Sequence, residues 1–230
     1  MDRKLLFAIL ASVAAGVLLW HSPAVYPFKL LVVLMHESGH AAATLLIGGS
    51  VRSISVSPDE GGLTTSLFVP SLLRRVLVSS AGYLGSVVTG CVLLLVAARA
   101  RTARIPLVAL GAWTGLVALL WVRDAFTLFF TLGMTAVLLV AARFLPALAR
   151  RALLVFLASF SALYALFDIR DDLLHLGPAR GTDADALAQA TLIPAIVWGI
   201  GWGLLSIALL LITLRMVLAA PQQAKSKTLG

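Results

Sequence analysis

FKLLVVLMHESGHAAATLLI, residues 28–47, decides how this chain is read. The run is apolar and long enough to cross a bilayer as one helix. Yet it carries His36, Glu37 and His40 at its middle. Positions i and i+4 share a helix face, so both imidazoles of H-E-x-x-H reach toward one metal ion. Glu37 sits beside them, placed to take a proton from a water that the metal activates. Hydrocarbon is a costly place for three such side chains, and their presence there asks for a function. The competing reading is a buried histidine pair satisfied by backbone or hydroxyl partners. It is disfavoured because little in an apolar segment offsets the cost of burying an ionisable cluster.

Outward from that stretch, the composition agrees with a membrane setting. The chain has 230 residues, of which 60% are hydrophobic and 12% charged. Its mean hydropathy is +1.02, too high for a soluble domain of this size. Apolar segments recur at about 4–20, 28–47, 76–98, 105–122, 125–143, 152–170 and 191–217. The expected fold is therefore an all-α polytopic membrane protein with six or seven transmembrane helices. Residues 1–220 are expected to form one membrane domain, and 221–230 a disordered polar tail. The first segment reads as a retained helix or as a signal peptide, and the lack of a clean small-x-small cleavage site before His21 favours the helix. The net charge of +8 is ordinary Lys/Arg dressing of membrane loops. Basic residues are not interleaved with aromatics, so no nucleic-acid partner is expected. The single cysteine, Cys91, excludes an internal disulfide and any multi-cysteine metal site.

Between the second and third segments the periodicity changes. Residues 51–57, VRSISVS, alternate apolar and polar, PDEGG at 58–62 is a turn, and 63–69 return as a second strand. A β-hairpin over about 51–69 thus follows the H-E-x-x-H helix. It serves either as a plain connection or as an exposed edge that holds an extended peptide by strand addition. Gly82, Ser86 and Gly90 place small residues at every fourth position of the third segment, which allows close helix packing. Gly199 and Gly203 repeat the spacing in the last one, either as the same device or as ordinary glycine use in a membrane helix.

Two histidines need a third protein ligand to make a catalytic zinc site. His21 and His175 read as interfacial side chains. The sequence FDIRDD at 167–172 offers carboxylates instead. Asp168, Asp171 and Asp172 are spaced i, i+3, i+4, so they leave a helix end in one direction. With seven spans, the second, fourth and sixth helices end on the same membrane face. His40 lies about 12 Å deep, at ~1.5 Å of rise per residue. Asp168 is the deepest of the three and the expected ligand. Asp171 or Asp172 remains a possible ligand or an outer partner that orients an imidazole or holds Arg170.

These stretches resemble the site-2 protease family, and within it the small B-type branch. The resemblance is carried by HESGHAAA at 36–43 with Gly48-Gly49, SPDEGGLT at 57–64, AGYLGS at 81–86 and the acidic DIRDD at 168–172. It implies an intramembrane zinc metalloprotease that hydrolyses peptide bonds of transmembrane protein substrates. It implies Zn²⁺ held by His36, His40 and an Asp, with Glu37 as general base. It further implies a hairpin near Gly61 and Gly62 that presents the substrate strand. With no regulatory module in the chain, substrate selection falls to the membrane domain or to a regulatory membrane partner. The expected location is a bacterial plasma membrane. A count of Lys and Arg leans toward a site facing outward, whereas the resemblance implies one open to the cytoplasm. Two other function classes compete: a metal-handling transporter built on the same cluster, and a catalytically silent membrane scaffold. The first predicts a polar path continuing through the bilayer, but the spans beyond the motifs are almost free of ionisable residues. The second is at odds with an intact Glu37.

Overall fold

The computed structural model describes residues 3–173 and 181–219. Eight helices and one hairpin occur among them: α1 (Arg3–Leu18), α2 (Tyr26–Leu46), β1 (Ser50–Val56), β2 (Gly62–Leu67), α3 (Leu72–Arg99), α4 (Arg104–Trp121), α5 (Ala125–Phe144), α6 (Ala147–Leu173), α7 (Asp183–Thr191) and α8 (Ala195–Ala219). The class is the expected one, a helical membrane fold with a hairpin after the H-E-x-x-H helix. Five helices, α3, α4, α5, α6 and α8, are long and apolar enough to cross a membrane. The apolar part of α1 is shorter. The helix α2 is not among the five, because Lys29 and the motif itself dilute its apolar character. The last predicted span, 191–217, is corrected to Ala195–Ala219, preceded by the separate nine-residue α7. The proposed tail and His175 lie outside the described residues, and His21 is exposed in the turn between α1 and α2.

α2 occupies the centre. Leu30, Leu31, Leu34 and Met35 are almost fully buried, along with Glu37 and His40. Its neighbour α3 comes unusually close. A Cβ on Gly39 would overlap the backbone of Ala81, and one on Gly85 would lie 3.1 Å from the Gly39 Cα. Close crossings of this kind need small residues. The small-residue row of α3 is used twice: Gly82 lies against the motif histidines, and Gly90 against the Ala158 carbonyl and Ala162 of α6. The same spacing in α8 is not used that way at Gly203, where a Cβ would meet nothing nearer than Ile169 at 3.8 Å.

α2 ends where Gly48 takes a left-handed conformation (φ 78°) and the Gly49 N–H donates to the Thr44 carbonyl at 2.8 Å. This is the geometry in which glycine caps helices at least cost. Gly49 has no room for a Cβ between Thr44 and the Leu67 carbonyl. The chain then runs into β1, which pairs antiparallel with β2 in the register Val56↔Gly62, Ser55↔Leu63, Ile54↔Thr64, Ser53↔Thr65. A bulge falls between Val51 and Ser53. Ile54 and Val56 are buried from β1 into the helices, so the hairpin is docked rather than free. At its tip the Lys29 ammonium, itself buried, pairs with Glu60 at 3.0 Å, and the Tyr26 hydroxyl donates to the Pro58 carbonyl at 2.7 Å.

Candidate metal centre and peptide edge

His36 and His40 sit one turn apart on α2, and both turn Nε2 toward α7. Asp183 Oδ2 lies 3.1 Å from each Nε2. The donor atoms of these three residues all fall within 4.8 Å of one another. Donors bound to one tetrahedral ion at ~2.0–2.1 Å stand about 3.3 Å apart, so the two histidine–aspartate spacings are close to those of a shared metal. Gly82 completes the cradle, since a Cβ there would overlap the Nε2 atoms of both histidines. Two imidazoles and one carboxylate form a zinc-type set that leaves a fourth position for water.

His40 is oriented from behind. The His40 Nδ1 lies 2.7 Å from the Val78 carbonyl, which receives its N–H and leaves the Nε2 lone pair facing the centre. Behind His36, Asp168 Oδ2 stands 3.8 Å from Nδ1. The His36 ring is also wedged by Tyr83, edge to face at 4.7 Å. Tyr83 in turn stacks on Trp202 at 4.9 Å, whose indole N–H donates to Ser80.

Asp168, the expected third ligand, therefore lies on the far side of His36 from the cluster, and Asp183 holds the facing position. The physical reason is helix direction: Asp168 leaves α6 toward Nδ1, whereas α7 presents its first residue to Nε2 of both histidines. Asp171 points away to Arg170, with an Nε–Oδ1 distance of 2.8 Å, and is exposed. It is thus the partner of Arg170 foreseen among its alternatives and lies outside the cluster. Asp172 belongs to α6, and its side chain lies outside the described residues.

Sequence reasoning passed over Asp183, although a local signal was available. Thr182-Asp-Ala-Asp185 is a capping box, and both of its hydrogen bonds form between Thr182 and Asp185. It starts a helix whose Ala184 and Leu187 are buried in a cluster with Tyr83, Ile169 and Trp202. That packing fixes where Asp183 points. Burial raises the pKa of its carboxyl, but the adjacent His36 and His40 rings outweigh this and hold it below its ordinary value.

The Glu37 side chain meets the hairpin. Thr64 Oγ1 lies 2.7 Å from Oε2 and 2.9 Å from the Glu37 carbonyl oxygen. A Cβ on Gly62 would overlap the Glu37 carboxylate, so this glycine, singled out from the sequence, is a matter of space. Gly61 and Gly62 both line the cavity of about 510 Å³ that also contains His36, Glu37, His40 and Asp183.

The two edges of the hairpin differ. The Ser57 N–H donates to the Gly61 carbonyl, so the hydrogen-bonded pairs step by two residues from there. Val56↔Gly62 and Ile54↔Thr64 are then the alternate pairs, with peptide groups turned outward. On β1 the outward groups of Val56 are taken: its N–H donates to Thr127 Oγ1 at 2.8 Å, and the Thr127 hydroxyl donates to its carbonyl. On β2, Gly62 and Thr64 line the cavity.

Membrane-length helices around a partly buried His/His/Asp cluster with an adjacent glutamate define an integral membrane protein with a candidate metallohydrolase centre. The chain matches the Peptidase M50B-like family over residues 9–213 and belongs to that family, the B-type branch of the site-2 proteases. No curated protein and no solved structure matches it significantly.

Proposed function

We propose that this chain is a zinc-dependent endopeptidase that cuts membrane-embedded protein substrates, in a bacterial plasma membrane. The observation that carries the proposal is the convergence of three groups in one cavity: the His36/His40/Asp183 donors, the Glu37 carboxylate and the outward-facing edge of β2. His36, His40 and Asp183 hold the metal, while Asp168 and the Val78 carbonyl keep the imidazoles turned toward it. When bound, zinc supplies an acidified water and polarises the scissile carbonyl. Glu37 accepts the proton of that water and passes it to the leaving amine. A substrate helix hides its carbonyls in hydrogen bonds, so it must unwind before attack. Pairing of the unwound segment with Gly62 and Thr64 of β2 offsets part of that cost.

Glu37→Gln keeps the shape of the site and removes the base. The expected result is unchanged zinc content by elemental analysis and loss of cleavage of a quenched-fluorescent transmembrane peptide whose helix is interrupted by Asn-Gly. Cleavage by the variant at the wild-type rate would sink the mechanism. A protein that binds no zinc under any condition would favour the scaffold reading instead.

A further inference from the structure

We infer that Thr64 is a positioning residue for Glu37, setting the distance between the base and the substrate strand. The inference rests on the peptidase reading above. Side chains at 62, 64 and 66 stand on one face of β2, and that face lies on α2. On α2, residues 37 and 44 are two turns apart on one side of the helix. Two contacts therefore join strand to helix: Thr64 to Glu37, and Ser66 to Thr44 at 2.7 Å between hydroxyls. Only the first touches the base.

A glutamate carboxylate has three side-chain torsions to settle. Here α2 fixes its root and Gly62 leaves the space for its head. The Thr64 hydroxyl, half-buried at 2.7 Å, is the donor that fixes its rotation. Thr64 also acts through a second part of itself. Its peptide N–H and C=O turn to the outward edge of β2, where a substrate strand would pair. The side chain holds the base and the backbone holds the substrate, so their separation is set within one residue. A misplacement of ~1 Å between reacting groups costs up to about 100-fold in rate.

The test compares Thr64→Val, Thr64→Ser and Thr44→Val in the full chain loaded with zinc, using the interrupted transmembrane peptide. Thr64→Val keeps the β-branch and removes the donor. It is expected to lower kcat about 10- to 100-fold with KM within about twofold, at unchanged zinc content. Thr64→Ser should restore most of kcat. Thr44→Val cuts the other strand-to-helix contact without touching Glu37, and kcat should stay near the wild-type value. Wild-type kcat in Thr64→Val would overturn the inference, as would an equal loss in Thr44→Val, which would reduce Thr64 to a hairpin anchor. Residual cleavage by Glu37→Gln would instead overturn the peptidase mechanism itself.

A second readout needs no turnover. The chain has two glutamates, Glu37 and Glu60. In a Glu60→Gln background with ¹³C-labelled glutamate, the infrared carboxylate stretch belongs to Glu37 alone. Thr64→Val should shift and broaden that band, and an unmoved band would overturn the inference.

Discussion

At the scale of the residue, two aspartates that look alike in sequence stand differently to the histidines. Asp183 stands 3.1 Å from the Nε2 of both histidines, while Asp168 stands 3.8 Å from His36 Nδ1. Asp183→Ala is therefore expected to lose zinc on dialysis and to lose cleavage. Asp168→Asn should keep the metal but bind it about 10- to 100-fold more weakly, as for outer partners of metal-ligating histidines. Zinc titration against a competing chelator separates the two, and the opposite ranking would exchange their roles. His36, Glu37 and His40 were legible because their relation is local: one helical turn fixes it. The third donor was not legible, because the separation of 147 positions from His36 to Asp183 is spanned by folding rather than by periodicity. The depth argument did bring Asp168 to His36, but depth alone does not say which ring nitrogen a side chain meets.

At the scale of the element, the hairpin shows what a strand edge needs in order to be usable. On β1 the outward groups of Val56 are taken by a single hydroxyl, Thr127 Oγ1, which serves both its N–H and its C=O. Thr127 is itself fully buried, and its N–H donates to the α5 N-cap residue, Asp124. Thr127→Val keeps the shape and leaves two buried peptide groups without partners, at about 1–3 kcal/mol each. Thermal unfolding in detergent should show a clear drop in Tm, and a variant as stable as wild type would mean that water serves Val56 instead. The hairpin was legible through its alternation and its PDEGG turn. Glu60 in that turn adopts φ 67°, a conformation uncommon outside glycine, and Lys29 holds it there. The helix α7 was missed for the converse reason. Nine residues with alternating Asp and Ala carry little apolar periodicity, and the strongly apolar α8 beside it drew the boundary to itself.

At the scale of the whole molecule, the candidate metal centre is a product of how closely α2 and α3 cross. The Val78 carbonyl that orients His40, the Gly82 that leaves room for both imidazoles and the Tyr83 ring that wedges His36 all lie on α3, within little more than one turn. They reach α2 only because Gly39 lets the Ala81 backbone into contact. The glycine of H-E-S-G-H thus belongs to the site through packing, although it offers no chemistry. Its side-chain-free surface is where the long-range fold and the local motif meet. Gly39→Val would drive a branched side chain into a main chain that has nowhere to move without carrying Val78, Gly82 and Tyr83 along. Overpacking of this kind costs about 1–3 kcal/mol, and here the displacement falls on every group that shapes the cluster. Gly39→Val is expected to lose zinc and cleavage together, with a lowered Tm. Gly203→Ala, where the nearest atom is 3.8 Å away, should change none of the three. If Gly39→Val kept full zinc affinity, the α2–α3 approach would not be what builds the centre, and the orientation of the histidines would have to come from α2 alone.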